Sequence, residues 1–182
     1  MIFADEALRS SLKDDHSRKG DHWIYNDIER GFAEAKRTGK PLFITFRCVP
    51  CEACGAFDAE VAKGSRVIRD LAQTHFIPLP QVEMKGADLS LFQFDYDLNW
   101  AAMFINANGE VYGRYGAQSA AGPDAYNSIE GLEQAMQRVL KLHAAYPKNK
   151  FTLAMKRGLS KPYKTAMEMP GLENKNKFRQ TT

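Results

Sequence analysis

Residues 40–57, KPLFITFRCVPCEACGAF, constrain this chain more than any other stretch. The run 41-PLFITF-46 is short, apolar and rich in β-formers, which reads as a buried strand. All three cysteines, Cys48, Cys51 and Cys54, follow at three-residue intervals where that strand ends. Just before it, 26-NDIERGFAEAKRTGK-40 sets Ile28, Phe32 and Ala35 at helical spacing, with Asn26 or Asp27 as cap and Gly39 past the last turn. The fold must therefore bury a strand between packed elements and present three thiols at its end.

The remaining pattern supplies those elements. Glu52 to Ala62 reads as helix, with Phe57 and Val61 four apart, and 65-SRVIRDLAQTH-75 has a Ser cap and a Val67, Ile68, Leu71 face. The segment 76-FIPLPQVEM-84 is extended, and its alternate prolines suit an edge strand. Asn108-Gly109 within 100-WAAMFINANGEVYGRYG-116 marks a hairpin with a tight turn, the second strand running from Glu110 to Tyr115. After the flexible 116-GAQSAAGPD-124, a long helix over 126–146 carries Ile129, Leu132, Met136, Val139, Leu140 and His143 on its apolar face. Beyond Pro147 the pattern weakens to one short helix, 151-FTLAMKRG-158, and a polar end. The expected division is an N-terminal extension over 1–22, a domain over 23–146 and a basic extension over 147–182.

Composition narrows the function classes. With 182 residues, 44% hydrophobic and 26% charged, the chain can form one domain with a full core. Cysteines confined to one heptad cannot staple a disulfide scaffold, so their clustering points to chemistry. No apolar run is long enough to span a bilayer, and 1-MIFADEALRS-10 lacks the pattern of a secretory signal. The net charge of +3 hides an asymmetry: from Lys141 onward ten basic residues face only Glu168 and Glu173, so the preceding body is acidic. That tail is either a solvated segment on its own acidic domain or a docking segment for an anionic partner. Nucleic acid is not expected, since the tail has no compact basic run and Phe151, Tyr163 and Phe178 are far apart.

From the residues alone the cysteine cluster has three readings: a redox pair with a third thiol, a set of metal ligands, or small packed thiols. An iron–sulfur run would need a fourth cysteine and a following proline, both missing. Zinc would accept three thiolates and one of His16, His22, His75 or His143. Cu(I) needs only two or three thiolates, so Cys48, Cys51 and Cys54 alone could hold it. His75 and His143 read more simply as structural histidines.

The order of elements, helix, strand, cysteines at its end, helix, extended segment, hairpin and final helix, resembles the thioredoxin superfamily over residues 23–146. Within it, 40-KPLFITF-46 followed by 51-CEACGAFDAEV-61 is similar to thioredoxin-like proteins whose Cys-x-x-Cys is followed, two residues on, by a hydrophobe and an acid, here Phe57 and Asp58. The resemblance implies an α/β thioredoxin fold, a central mixed β-sheet flanked by helices, and sets Cys51 and Cys54 as the redox pair with Cys48 as an upstream addition. Cys51 would then sit at a helix N-terminus, its thiolate stabilised by free N–H groups and the helix dipole, with Cys54 as resolving thiol.

Four positions depart from the thioredoxin pattern. Pro50 replaces the usual Trp before the first cysteine. Glu52 and Ala53 replace Gly and Pro, and a carboxylate beside Cys51 opposes its ionisation. Thr45 stands where thioredoxins carry a buried Asp. The cis-proline that faces the pair falls on Trp100 or a neighbour such as Ala101 in 98-LNWAA-102, and no proline is there. A trans peptide is expected, because a non-proline cis bond costs about 3 to 4 kcal/mol. Trp100 then either caps the site or simply fills the core.

The reading placed first is a thiol-disulfide oxidoreductase acting on protein thiols or disulfides, with Cys51 attacking, Cys54 resolving, Cys48 modulating, and Pro50, Trp100 and Ala101 near substrate. It implies no organic cofactor. The alternatives are a thioredoxin-fold module holding Cu(I) or Zn on the three cysteines, or a redox-silent interaction domain. Thioredoxin-like chains with a helix before the Lys-Pro-Leu strand are often exported in bacteria, so a periplasmic or secreted location is expected.

Overall fold

A computed structural model of the chain describes residues 22–47, 65–84, 86–93, 100–116, 125–160 and 162–170. Its elements are helix α1 (Ile28–Thr38), strand β1 (Leu42–Arg47), helix α2 (Arg66–His75), strand β2 (Ile77–Gln81), strands β3 (Trp100–Ile105) and β4 (Val111–Tyr115), helix α3 (Ile129–Ala144) and short helix α4 (Lys150–Ala154). The strands form one mixed sheet in the order β2-β1-β3-β4, with β1 parallel to β2 and antiparallel to β3. The helix expected over Glu52 to Ala62 lies outside the described residues.

Strand β1 is buried along its whole length, which is why its sequence shows no alternation: both sheet faces are covered. Phe43 faces Phe104 and Phe76 together with Ile68 and Ala72 of α2 and Leu132, Met136 and Val139 of α3. Leu42 and Ile44 face the opposite way, with Leu79, Met103, Ile105 and Ala35 of α1. The result is an α/β/α sandwich with a central mixed sheet, as the thioredoxin resemblance implies.

The edge position of β2 explains its prolines. Ile77 donates its N–H to Pro41 O at 2.9 Å, so alternate residues of β2 hydrogen-bond toward β1. Pro78 and Pro80 point their backbone outward, where no ladder donor is needed, and their carbonyls accept from Ile24 N (3.1 Å) and Asn26 N (3.0 Å). Segment 23–26 thus covers the exposed edge, burying Trp23, Ile24 and Tyr25.

Local signals resolve as follows. Asp27 caps α1, accepting from Arg30 N at 2.9 Å, and Gly39 ends it at φ 71°. Asn26, the other cap candidate, instead has φ 51° and accepts from Val82 N (2.7 Å) and Glu83 N (3.0 Å). Ser65 caps α2 as expected. Its buried face is set by Ile68 and Ala72, whereas Val67 is 46% exposed: one residue from Ile68 it is turned by about 100° away from the core.

The hairpin turn is wider than the tight turn expected. Only Gly109 takes positive φ, at 81°, and buried Asn106 organises the loop by accepting from Asn108 N (2.9 Å) and Glu110 N (3.0 Å). Beyond it, Phe104 pairs with Gly113 but Ile105 with Val111, so Tyr112 is an extra residue in β4.

The basic segment after Pro147 is docked by specific contacts where it is described. Leu153 is buried, Asn149 Nδ2 donates to Leu142 O at 2.8 Å, and Leu89 N donates to Lys164 O at 2.7 Å. Among the described residues no helix is long and apolar enough to cross a membrane.

Candidate thiol site at the end of the central strand

The sheet register locates the site. Arg47, last residue of β1, pairs with Trp100, first residue of β3; Phe46 pairs with Ala101 and Thr45 with Ala102. Trp100 and Ala101 therefore stand against the strand end from which the chain runs on to Cys48. Pro50, Cys48, Cys51 and Cys54 lie outside the described residues.

What surrounds that strand end is tightly built. Trp100 is 2% and Ala101 3% exposed. The Trp100 ring meets Tyr115 edge to face, centroids 6.4 Å apart, and Tyr115 Oη donates to Ser128 O while accepting from Ser128 N, both at 2.8 Å. Strand β3 is thus tied through two rings to the cap of α3. Gly116 closes the corner at φ 119°, where a Cβ would lie 2.6 Å from Trp100 O and 3.0 Å from Ala101 Cα. Only glycine fits so close to another backbone. Among the described residues the one cis peptide is Tyr146-Pro147, so the Trp100-Ala101 bond is trans; the bond before Trp100 involves Asn99, outside them.

Arg47 is the residue that sequence reasoning missed. It is 7% exposed, directly precedes Cys48, and by strand alternation shares a sheet face with Thr45 and Trp100. A cation closing an otherwise apolar strand just before a cysteine cluster was the available signal. Near a thiol a guanidinium favours the thiolate, opposing the effect expected of Glu52.

Among the described residues the histidines do not gather near this end. His143 Nε2 lies 2.7 Å from Gly39 O, and a carbonyl only accepts, so Nε2 carries a hydrogen. In the neutral ring Nδ1 then accepts from Tyr112 Oη at 2.8 Å, while Asn106 Nδ2 donates to that hydroxyl at 3.3 Å. His143 is thereby a structural bridge from α3 to the end of α1. His22 and His75 are exposed, and His16 is outside the described residues. Among the described residues no cluster of His, Cys, Asp or Glu could hold a metal.

Strand, cysteine segment, helix, edge strand and hairpin in this order define a thioredoxin-like architecture. Residues 23–107 match a family model described as thioredoxin-like, and the chain carries a thioredoxin-like domain. That match ends just after β3; β4 and α3 complete the sheet and its cover beyond it. A solved chain described as "DsbH Oxidoreductase" is similar over 74% of this chain and 98% of its own, at 15% identity and a TM-score of 0.44. No curated protein matches.

Proposed function

We propose that this thioredoxin-like chain is a thiol-disulfide oxidoreductase acting on protein thiols through Cys51 and Cys54, with Cys48 as a modulating third thiol. The observation that carries the reading is the Arg47–Trp100 pairing: the sequence reaches its cysteines directly from the end of the buried central strand, against the start of β3. The buried cation at Arg47 supports thiolate formation there.

In the reducing direction, the Cys51 thiolate attacks one sulfur of a substrate disulfide and expels the other as a thiolate. Cys54 then attacks Cys51 Sγ, releasing the second substrate thiol and leaving a Cys51–Cys54 disulfide. Two electrons pass to the substrate, and the reverse sequence oxidises a dithiol.

Thiol titration with metal analysis on anaerobically purified protein tests this. One free thiol rising to three with mild reductant, without metal, supports the oxidoreductase. Thiols masked until a chelator is added, with near-stoichiometric Cu(I) or Zn, overturn it in favour of a metal-binding module. Cys51→Ser should abolish exchange and Cys54→Ser should trap a mixed disulfide; undiminished exchange by Cys51→Ser would remove Cys51 as nucleophile.

A further inference from the structure

A groove of about 510 Å³ lies on the far side of the domain from α1, between β4, α3 and the segment after α4. Its floor is apolar, with Phe104 and Val139 buried. Its rim is cationic: Arg114, Arg138 and Lys156 all line it, and among the described residues none that lines it is a carboxylate. We infer that this groove binds a small organic anion, its carboxylate, sulfonate or phosphate held by Arg114, Arg138 and Lys156 and its apolar body on Phe104 and Val139.

The geometry favours this occupant. Lys156 Nζ already donates to Tyr112 O, and Arg114 Nη2 donates to Lys156 O at 3.2 Å, so two of the cations are fixed by β4 and the docked segment while keeping donors to spare. The Arg138 side chain makes no ion pair or hydrogen bond among the described residues. Burial foremost, and then the positive charge of Arg138, hold the Lys156 amine below its usual range. A bound anion would relieve that repulsion, and the groove falls in the size range of small-ligand sites, roughly 300–1,000 Å³. Gly113 lines the same groove, and a Cβ added there meets nothing within 4 Å.

Calorimetric titration of the full chain with naphthalene-1-sulfonate, its neutral sulfonamide and inorganic phosphate tests the inference. The sulfonate should bind once per chain, with sulfonamide and phosphate each at least about tenfold weaker, since charge and apolar body both contribute. Arg138→Gln, a change on an exposed side chain, should weaken sulfonate by about tenfold, and Gly113→Leu should abolish binding by filling the groove without lowering the unfolding midpoint. No saturable binding, equal binding of sulfonate and sulfonamide, equal binding of phosphate, or sulfonate affinity unchanged in Arg138→Gln would each overturn it. The cysteines take no part, so these outcomes are independent of the thiol chemistry.

Discussion

Replacing Tyr112 with Phe removes one oxygen and leaves the buried ring in place, which isolates the hydrogen-bond chain running from Asn106 through Tyr112 to His143 and Gly39. The hydroxyl donates to His143 Nδ1 at 2.8 Å and accepts from Asn106 Nδ2 at 3.3 Å. Asn106 is 3% exposed, so Tyr112→Phe leaves a buried amide donor without this acceptor, a cost of about 1–3 kcal/mol, and forfeits roughly 1 kcal/mol from the bond to histidine. The longer Asn106 contact places its share at the low end, giving about 2 kcal/mol in all. For a chain of this size that lowers Tm by about 4–8 °C. Urea unfolding at pH 7 followed by circular dichroism measures it, and a loss below about 0.5 kcal/mol would refute the network as a structural tie. A second arm uses pH. Burial foremost, with the charges of Tyr146 and Glu110 and against the Asn106 hydrogen bond, pushes the Tyr112 hydroxyl above the ordinary value of 10.0. Below pH 10 the proton is bound in both states and the contribution is complete; above it the unfolded tyrosine ionises first, so stability drains away as pH rises toward the folded value. The gap between the native protein and Tyr112→Phe should therefore narrow between about pH 9 and pH 11, and a constant gap would show that the hydroxyl titrates normally.

Two further substitutions probe the strand end that leads to the cysteines. Gly116→Ala should cost at least about 2 kcal/mol, since it combines a disfavoured φ with contact against the Trp100 backbone; a denaturation midpoint equal to that of the native protein would contradict the packing described for that corner. Arg47→Met should raise the apparent pKa of the most reactive thiol by about one unit, the low end of what losing a neighbouring opposite charge does to an ionisable group. The pH dependence of iodoacetamide alkylation reads this out, and an unmoved midpoint would mean that Arg47 serves packing alone.

What could be read in advance follows from how local each cause is. The helix ending at Gly39 and the strand 41–46 were legible because cap, spacing and burial all act within a few residues. Pro78 and Pro80 told the edge position of β2 from a single missing donor each. Val67 misled because Val67 and the adjacent Ile68 both lie at helical spacing from Leu71, four and three residues away, which does not say which of the two faces inward; only packing against the sheet decides. The turn at Asn108-Gly109 was placed correctly but not its width, since that depends on the Asn106 side chain, and a bulge at Tyr112 leaves no local mark. Arg47 went unremarked, and the cationic groove could not be seen at all, because Arg114, Arg138 and Lys156 come from three separate elements.

The absence of proline at the start of β3 gains meaning from the packing found there. In the thioredoxin pattern that position faces the cysteine pair and helps hold substrate. Here that position falls on Trp100 or a neighbour, and Trp100 is a ring buried to 2% exposure, set edge to face against Tyr115 and tied through it to the cap of α3, with its carbonyl where a Cβ on Gly116 would collide. Moving the indole out to meet a partner would open a large cavity in the core and cost several kcal/mol, about what deleting a buried aromatic costs. The side chain of Trp100 is therefore a support for the strand end and not a surface for substrate. If thiol exchange occurs here, selectivity must come from residues other than that indole, and the contribution of β3 is to hold Arg47 and the end of β1 in one fixed register.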